Sequence, residues 1–482
     1  MSASAKKLPL VTAAVFIACS VAGYVFFKLN ARAPAVITAH GGETTPYSAS
    51  VTVAPGTPLF FTWGVTPSPR AKAIARGETA PEQRYGDTYA QTRALMTQLT
   101  DDLREVGLTL RDVVAVRANL VADPELDMDG WNRAFGEFFG NATNPSKPAR
   151  TTIGISRLFI HDYLAEVEFV AAVPPGRGPF TAGSRYERMY KRLGRVETNP
   201  NVYTYGRPTW PLATGKATAP DTALYFQSAM FPEPMMPRML TMPLNMRMFR
   251  GDMTAQAESI FKQSMAALKD AGLKPENSLF TRNILYPDPK QGGYLDFTSF
   301  NDVYHHYYNN QENPNRVART IMSAPGYARQ GQLMTMETYA AYSGDQSKRF
   351  TAEDGTALPL VAYGLGDGVD QASGVATSPS AALTWVSGII APERGSMKEE
   401  AEAVFALATE RIAAYGATLD NVAQVRAYLA ISGNVAQAAE FQKVYAAAFS
   451  GAHKPALTIL PVSALADGAL AEVEFLTAHL PK

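Results

Sequence analysis

The chain has 482 residues, 46% of them hydrophobic and 18% charged, a balance that supports several packed cores and excludes disorder. Lysine plus arginine equals aspartate plus glutamate at 44 each, so no net field draws the chain to nucleic acid or an anionic membrane. No basic stripe with interleaved aromatics offers a nucleic-acid surface. The one cysteine, Cys19, leaves the globular part without a disulfide framework, a thiolate nucleophile or a zinc–cysteine site.

The N-terminus stands apart from the rest. Leu8 to Phe27 carries no charge and is flanked by Lys6, Lys7, Lys28 and Arg32. At about 1.5 Å per helical residue it reaches the thickness of a hydrocarbon core. It is long for a signal-peptide core, and Ala33-Pro34-Ala35 is a poor and late cleavage site. The expectation is an uncleaved signal anchor within 1–35, a transmembrane helix that leaves the globular part in the periplasm or another extracytoplasmic space. Cys19 is then a small residue inside a membrane helix.

Further along, Leu59 to Gly64 reads as a strand running into a turn. Tyr89 to Gly107 reads as an amphipathic helix, with Thr92, Leu95, Leu99 and Leu103 on one face and Gly107 at its end. Val113 to Val121 is a buried strand and Gly130 to Phe139 a second helix. The order then repeats. Leu224 to Ala229 is a strand-turn, Gln256 to Gly272 a helix, Leu279 to Tyr286 a strand and Phe297 to Tyr308 a helix. It repeats again at Leu383 to Gly388, Glu399 to Gly416, Val422 to Ala430 and Ala436 to Phe449. The spacing of Gly107, Gly272 and Gly416 is that of whole domains and not of a solenoid.

Each copy closes on a polar motif. In the first, Lys147-Pro148-Ala149-Arg150-Thr151-Thr152 opens an apolar run, and Ala165 to Ala171 alternates so that Glu166 and Glu168 share a strand face. The second has Val317-Ala318-Arg319-Thr320 and then Thr335-Met336-Glu337. The third has Lys454-Pro455-Ala456-Leu457-Thr458 and then Glu472-Val473-Glu474. An arginine on one strand and carboxylates on the next can line a polar cleft.

These residues resemble the reactive intermediate deaminase (RidA-like, YjgF/L-PSP) family. The resemblance rests on Ala90-Gln91-Thr92, Asn132 with Phe138-Phe139, Pro148-Ala149-Arg150-Thr151 and Glu166-Val167-Glu168, in order and recurring. It implies an α+β fold of three tandem chorismate-mutase-like domains at 45–173, 218–343 and 357–480, joined by linkers 174–217 and 344–356. Because such domains usually form homotrimers with clefts between subunits, it also implies an intramolecular pseudotrimer and a monomeric chain. The activity implied is hydrolysis of 2-imino acids, formed from enamines, to 2-keto acids and ammonia, with no metal or organic cofactor. Arg150 would hold the substrate carboxylate, since a guanidinium fork matches a carboxylate, and Glu166 would serve as acid–base group. Tyr47, Gly64, Asn132, Thr152, Ser228, Asn301, Arg319, Ser387, Gly388 and Glu472 complete the set of substrate-binding candidates.

The copies depart from the pattern in different ways. Trp63 stands where serine is usual before Gly64. Thr335 replaces the first glutamate of the second copy. Leu457 replaces the third arginine and Gln442 its asparagine, and a leucine cannot bind a carboxylate. The expectation is that Arg150 works with Glu166, the pair that one copy keeps in register. The competing expectation is a non-enzymatic ligand-binding or scaffold protein of a membrane-associated complex, whose partner contacts the Met-rich stretch 230–253, where eight of the 17 methionines lie. Copper at that stretch is disfavoured because no histidine sits in it. His305 and His306 are consecutive on a helix and point apart, against a shared metal.

Overall fold

All six expected helices form, and each starts on a side chain that caps its first turn. In chain order the first repeat runs β3 (Leu59–Thr62), α1 (Thr88–Glu105), β4 (Val113–Val121), α2 (Met128–Phe138), β5 (Ala149–Ile155) and β6 (Ala165–Ala172), preceded by β1 (Ile37–His40) and β2 (Ser50–Val53). The second runs β7 (Val202–Tyr205), β8 (Gly215–Thr218), β9 (Leu224–Gln227), α3 (Met253–Asp270), β10 (Ser278–Leu285), α4 (Phe297–Tyr307), β11 (Ala318–Ser323) and β12 (Met334–Ala341). The third runs β13 (Leu360–Tyr363), β14 (Gly374–Thr377), β15 (Ala382–Ile390), α5 (Met397–Ala413), β16 (Val422–Leu429), α6 (Val435–Ala448), β17 (Ala456–Pro461) and β18 (Ala471–His479). Asp87, Asp127, Asp252, Asp296, Ser396 and Asn434 accept backbone N–H bonds at the six N-termini. Gly107, at φ 78°, takes the left-handed conformation that ends α1.

This computed structural model describes residues 36–481 apart from the stretches 70–75, 178–198, 206–212, 237–247, 326–330 and 364–371 and some shorter gaps. Leu8 to Phe27, where the membrane anchor is expected, lies outside the described residues, as does much of the Met-rich stretch. Among the described residues no helix is long and apolar enough to cross a membrane.

The strands form three six-stranded sheets of one common order: β7-β8-β3-β6-β4-β5, β13-β14-β9-β12-β10-β11 and β1-β2-β15-β18-β16-β17. Each sheet thus borrows its outer hairpin from the chain segment before the next repeat, and the N-terminal hairpin β1–β2 joins the last sheet. Val53 lies opposite Leu383 and Thr52 opposite Thr384, whose hydroxyls bond at 2.8 Å. The sheets therefore run across the domain limits expected from sequence. The linker 174–217 holds β7 and all but the last residue of β8, β1 precedes residue 45, and β13–β14 belongs to the second sheet. The loop of each hairpin also touches the following repeat, through bridges Ser48–Ala149, Ala213–Ala318 and Ala372–Ala456. Residues 37–482 make one compact unit.

At the centre, β4, β10 and β16 each carry one arginine in an otherwise mostly apolar strand. Arg117, Arg282 and Arg426 lie opposite Glu168, Glu337 and Glu474 of the adjacent strands. Each arginine then reaches a second glutamate from a neighbouring repeat. Arg117 spans Glu168 at 3.2 Å and Glu474 at 2.6 Å, and Arg426 spans Glu337 at 2.8 Å and Glu474 at 2.7 Å. Arg282 spans Glu337 at 3.2 Å and Glu168. Thr151, Thr320 and Thr458 donate to Glu474, Glu168 and Glu337 at 2.7, 2.8 and 2.7 Å. Three positive and three negative charges close a buried ring with no net charge. A buried charge left unpaired is costly, so this ring fixes the register of the three repeats.

Candidate functional site

The second glutamate of every motif is spent on that ring. Burial pushes the Glu474 carboxyl up, but the guanidiniums of Arg117, Arg426 and Arg282 outweigh it and hold the group at about 2. Glu474 is therefore a structural anion, and Glu168 and Glu337 hold the equivalent places in the ring. The first position of the motif, Glu166, Thr335 or Glu472, faces a different place, the cleft between two repeats.

Arg150 does not meet Glu166. Its cleft is completed by the third repeat. The Arg150 amide donates to the Ser387 hydroxyl at 2.8 Å, and that hydroxyl donates to the Ser48 carbonyl at 2.5 Å. The Thr152 amide donates to Glu472, and the charge of Arg150 favours the Glu472 carboxylate. Arg150 Nη1 donates to Asn132 at 2.8 Å, and its guanidinium lies over the rings of Tyr47 at 4.0 Å and Phe135 at 5.0 Å. Gly388 is required here, because a Cβ at that position would overlap the Glu472 carboxyl. The Thr152 hydroxyl is buried with no partner within the protein. Burial pushes the Glu472 carboxyl up to about 8, Glu474 adds to the shift, and Thr152 and Arg150 only partly offset it. Burial thus favours the protonated form of Glu472, beside the Arg150 guanidinium.

Glu166 belongs to the cleft between the first and second repeats. Its charge couples with Arg319, whose guanidinium lies over the ring of Tyr304 at 4.5 Å. The Gly64 amide donates to the Arg319 carbonyl at 3.3 Å, and a Cβ on Gly64 would overlap both Glu166 and Thr320. Burial pushes the Glu166 carboxyl up to about 8 as well, partly offset by Asn119, Arg282 and Arg319. Trp63 occupies the serine position and is half-buried against the first repeat's core. An indole has no acceptor, so it cannot receive the Arg319 amide as Ser387 receives that of Arg150.

The third cleft, between the second and third repeats, collects the losses. Leu457 stands at the arginine position and Thr335 at the glutamate position, and Ala229 replaces the glycine. The Leu457 amide still donates to Ser228 at 2.8 Å, and Ser228 still donates to the Ala372 carbonyl at 2.5 Å. The space is filled: Tyr286 bonds Thr335 at 3.1 Å, and Tyr286, Leu457 and Ile459 share one buried cluster. Ser228 therefore stitches backbone to backbone in a cleft without the polar groups of the other two. Ser387 does the same work in its own cleft, which makes both serines interface staples in addition to anything a ligand asks of them.

The candidates of the sequence thus sort by cleft and not by repeat. Arg150, Asn132, Tyr47, Thr152, Ser387, Gly388 and Glu472 come together. Arg319, Glu166 and Gly64 come together, and Asn301 lies on α4, the helix that carries Tyr304. Ser228 stands with Leu457. The expected pairing of Arg150 with Glu166 is corrected: their strands belong to one sheet, but Glu166 and Glu472 each face the interface with a neighbouring repeat. Sequence reasoning also missed Arg117, Arg282 and Arg426. Their signal was one arginine at the same place in each buried strand. Among the described residues no cluster of three or more histidine, cysteine or acidic side chains could hold a metal ion.

Residues 43–173 and 371–479 match the family model described as endoribonuclease L-PSP. A RutC family protein of Pyrococcus abyssi is 32% identical over 127 residues, 26% of this chain and 85% of that protein. The chain belongs to the RidA-like (L-PSP) family. Among solved structures, yeast Mmf1 is similar at 28% identity, covering 25% of this chain and 98% of its own, with a TM-score of 0.19. A putative endoribonuclease L-PSP from Entamoeba histolytica is 25% identical, covering 25% and 94%, TM-score 0.19. RidA from an Antarctic Psychrobacter is 21% identical, covering 28% and 97%, TM-score 0.19. The two matched segments are the first and last repeats of this RidA-like chain, and they share the cleft that holds Arg150 and Glu472.

Proposed function

We propose that the cleft between the first and third repeats hydrolyses 2-imino acids to 2-keto acids and ammonia. The observation that carries this is the placing of Arg150 beside the buried Glu472 across that interface, where burial favours the protonated carboxyl. Arg150 binds the substrate carboxylate, and Tyr47 stacks on its guanidinium and keeps water from its face. Glu472 first protonates the imine nitrogen, which makes C2 more electrophilic. Its carboxylate then takes a proton from the water that adds to C2, gives it to the amine nitrogen, and takes the remaining hydroxyl proton as the C–N bond breaks, so imine plus water gives ketone plus ammonia and the acid is restored. Arg150 is 8% exposed and Glu472 6%. So enclosed a site suits a small acid better than an RNA strand, which favours this reading over a ribonuclease.

The three repeats act in this reading as an intramolecular pseudotrimer, monomeric and held in the periplasm by the apolar span Leu8 to Phe27. A non-enzymatic scaffold role is the alternative, and the filled Leu457 cleft is what favours it. Ammonia release from freshly generated 2-iminobutyrate decides between them. Wild type should exceed the uncatalysed rate, and Arg150→Leu, which copies the residue at 457, should remove the excess. No excess in wild type overturns the enzyme reading.

A further inference from the structure

The row of residues where the N-terminal hairpin joins the last sheet differs from its two counterparts. Thr52 of β2, Thr384 of β15 and Thr477 of β18 lie side by side in register. The same row is Ala217, Phe60 and Ala171 in the first sheet and Ala376, Tyr225 and Ala340 in the second. Two histidines and a tyrosine close over the threonines. His40, the last residue of β1, bonds Thr52 through Nε2 at 2.9 Å, and Thr52 bonds Thr384 at 2.8 Å. Tyr415, just past α5, bonds Thr477 at 3.1 Å. The Tyr415 ring has His40 at 5.6 Å and His479, the last residue of β18, at 5.5 Å. At the places of His479 and Tyr415 the first repeat has Val173 and Val106, both buried in its core. The second has Tyr342 and Ala271, and its counterpart of His40 is Tyr363, which accepts from Arg349.

Neutral, the two imidazoles pack beside one phenol. Charged, they would set two cations there, and His479 Nδ1 is buried with no partner within the protein. The groups that meet the rings and their row are Thr52, Thr384, Thr477 and Tyr415, from β2, β15, β18 and the end of α5. Among the described residues no carboxylate acts on either imidazole. Burial keeps both below their ordinary 6.5, and His40 adds to the shift at His479. A histidine whose pKa falls on folding stabilises the folded form in full above 6.5 and loses that contribution as pH drops below it. The hairpin also completes the Arg150 cleft. Its loop carries Tyr47 and the Ser48 carbonyl, and its other ties are to the first repeat: Ser48 donates to the Lys147 carbonyl at 2.7 Å and Lys147 to the Gly42 carbonyl at 2.6 Å. We propose that the β1–β2 hairpin is a pH-released clasp: protonation of His40 and His479 frees it from the last sheet and withdraws Tyr47 and Ser48 from the Arg150 cleft. The clasp stands on its own contacts and does not require that cleft to be catalytic.

The test is hydrogen exchange of the full chain, read by mass spectrometry at about pH 7.5 and about pH 5.5 and corrected for the intrinsic rate. Protection of 37–53 should fall at least about threefold at the lower pH, while that of β13 and β14 stays unchanged. His40→Tyr with His479→Val, the residues at the equivalent places of the second and first repeats, should keep the protection at the higher pH and remove its pH dependence. NMR titration of the two imidazoles, assigned through the single variants, should place both below 6.5. Protection of 37–53 that does not change with pH, a loss shared equally by β13 and β14, the same loss in the double variant, or either imidazole titrating above 6.5 would each overturn the proposal. The wild-type exchange decides even where a variant fails to fold. Ammonia release is read separately, so the clasp and the enzyme reading fail independently.

Discussion

The Arg150 cleft and the Leu457 cleft are built on equivalent strands and keep the same serine staple. Ser387 and Ser228 each accept the amide of the residue at the arginine position and donate to a hairpin carbonyl. Yet one cleft retains arginine, asparagine, glutamate and glycine, and the other has lost all four. The difference separates what holds the repeats together from what a ligand needs. The staple survives without the site. The site residues disappear as a set, because each loss releases a constraint on the next. A Cβ on Gly388 would overlap Glu472; in the cleft where Thr335 stands in place of the glutamate, the glycine position is Ala229.

The largest effect should come from the acid–base group. Glu472→Gln should lower imine hydrolysis by about 10²–10⁴-fold, and Glu166→Gln should have much the smaller effect. The reverse order would return the site to a single repeat.

Next in size is the central ring, shared by all clefts. Arg282→Met leaves Glu168 and Glu337 each short of one buried partner and should cost about 3–5 kcal/mol in denaturant unfolding. The ring also sets an acid limit. Glu474 is held at about 2 against an ordinary 4.5, so its stabilisation is full above 4.5 and disappears as pH falls toward 2. Stability that rises with acid over that window would contradict the assignment.

Gly388→Ala should displace the Glu472 carboxyl and reduce turnover on the order of 100-fold, the usual effect of a misplacement of about 1 Å. Ala229→Gly, the mirror change in the filled cleft, should alter stability by no more than about 1 kcal/mol. The smallest effect is on pH. Because Glu472 is held at about 8, turnover should fall as pH rises through 8, and that limb should vanish in Glu472→Gln.

The repeat and its elements were legible because hydrophobic period, caps and helix-ending glycines recur in order around Gly107, Gly272 and Gly416. Val113–Val121 emerges with the bounds its sequence implies. The hairpin exchange was not legible. Strands of four residues such as Ile37–His40 and Gly215–Thr218 carry too little pattern to name a partner, and their pairing is set by long-range geometry. The cleft partners were hidden for the same reason. Alternation put Glu166 and Glu168 on one strand face, but only the neighbouring repeat decides that Glu168 enters a central ring and Glu166 a cleft. Tyr304 and Phe135 hold equivalent helix positions, and it is the guanidiniums of Arg319 and Arg150 over their rings that make them cleft residues.

The central claim is that Arg150 faces Glu472 and Arg319 faces Glu166. Titration of the glutamate carboxyl carbons by NMR, with Glu472 and Glu166 assigned through their Gln variants, reads this without reference to activity. Both carboxyls should titrate well above the ordinary 4.5, near 8. Removing a cation that favours the carboxylate raises its pKa, so Arg150→Leu should move Glu472 further up and leave Glu166 in place, and Arg319→Leu should do the opposite. A shift of Glu166, and not of Glu472, on Arg150→Leu would contradict the account.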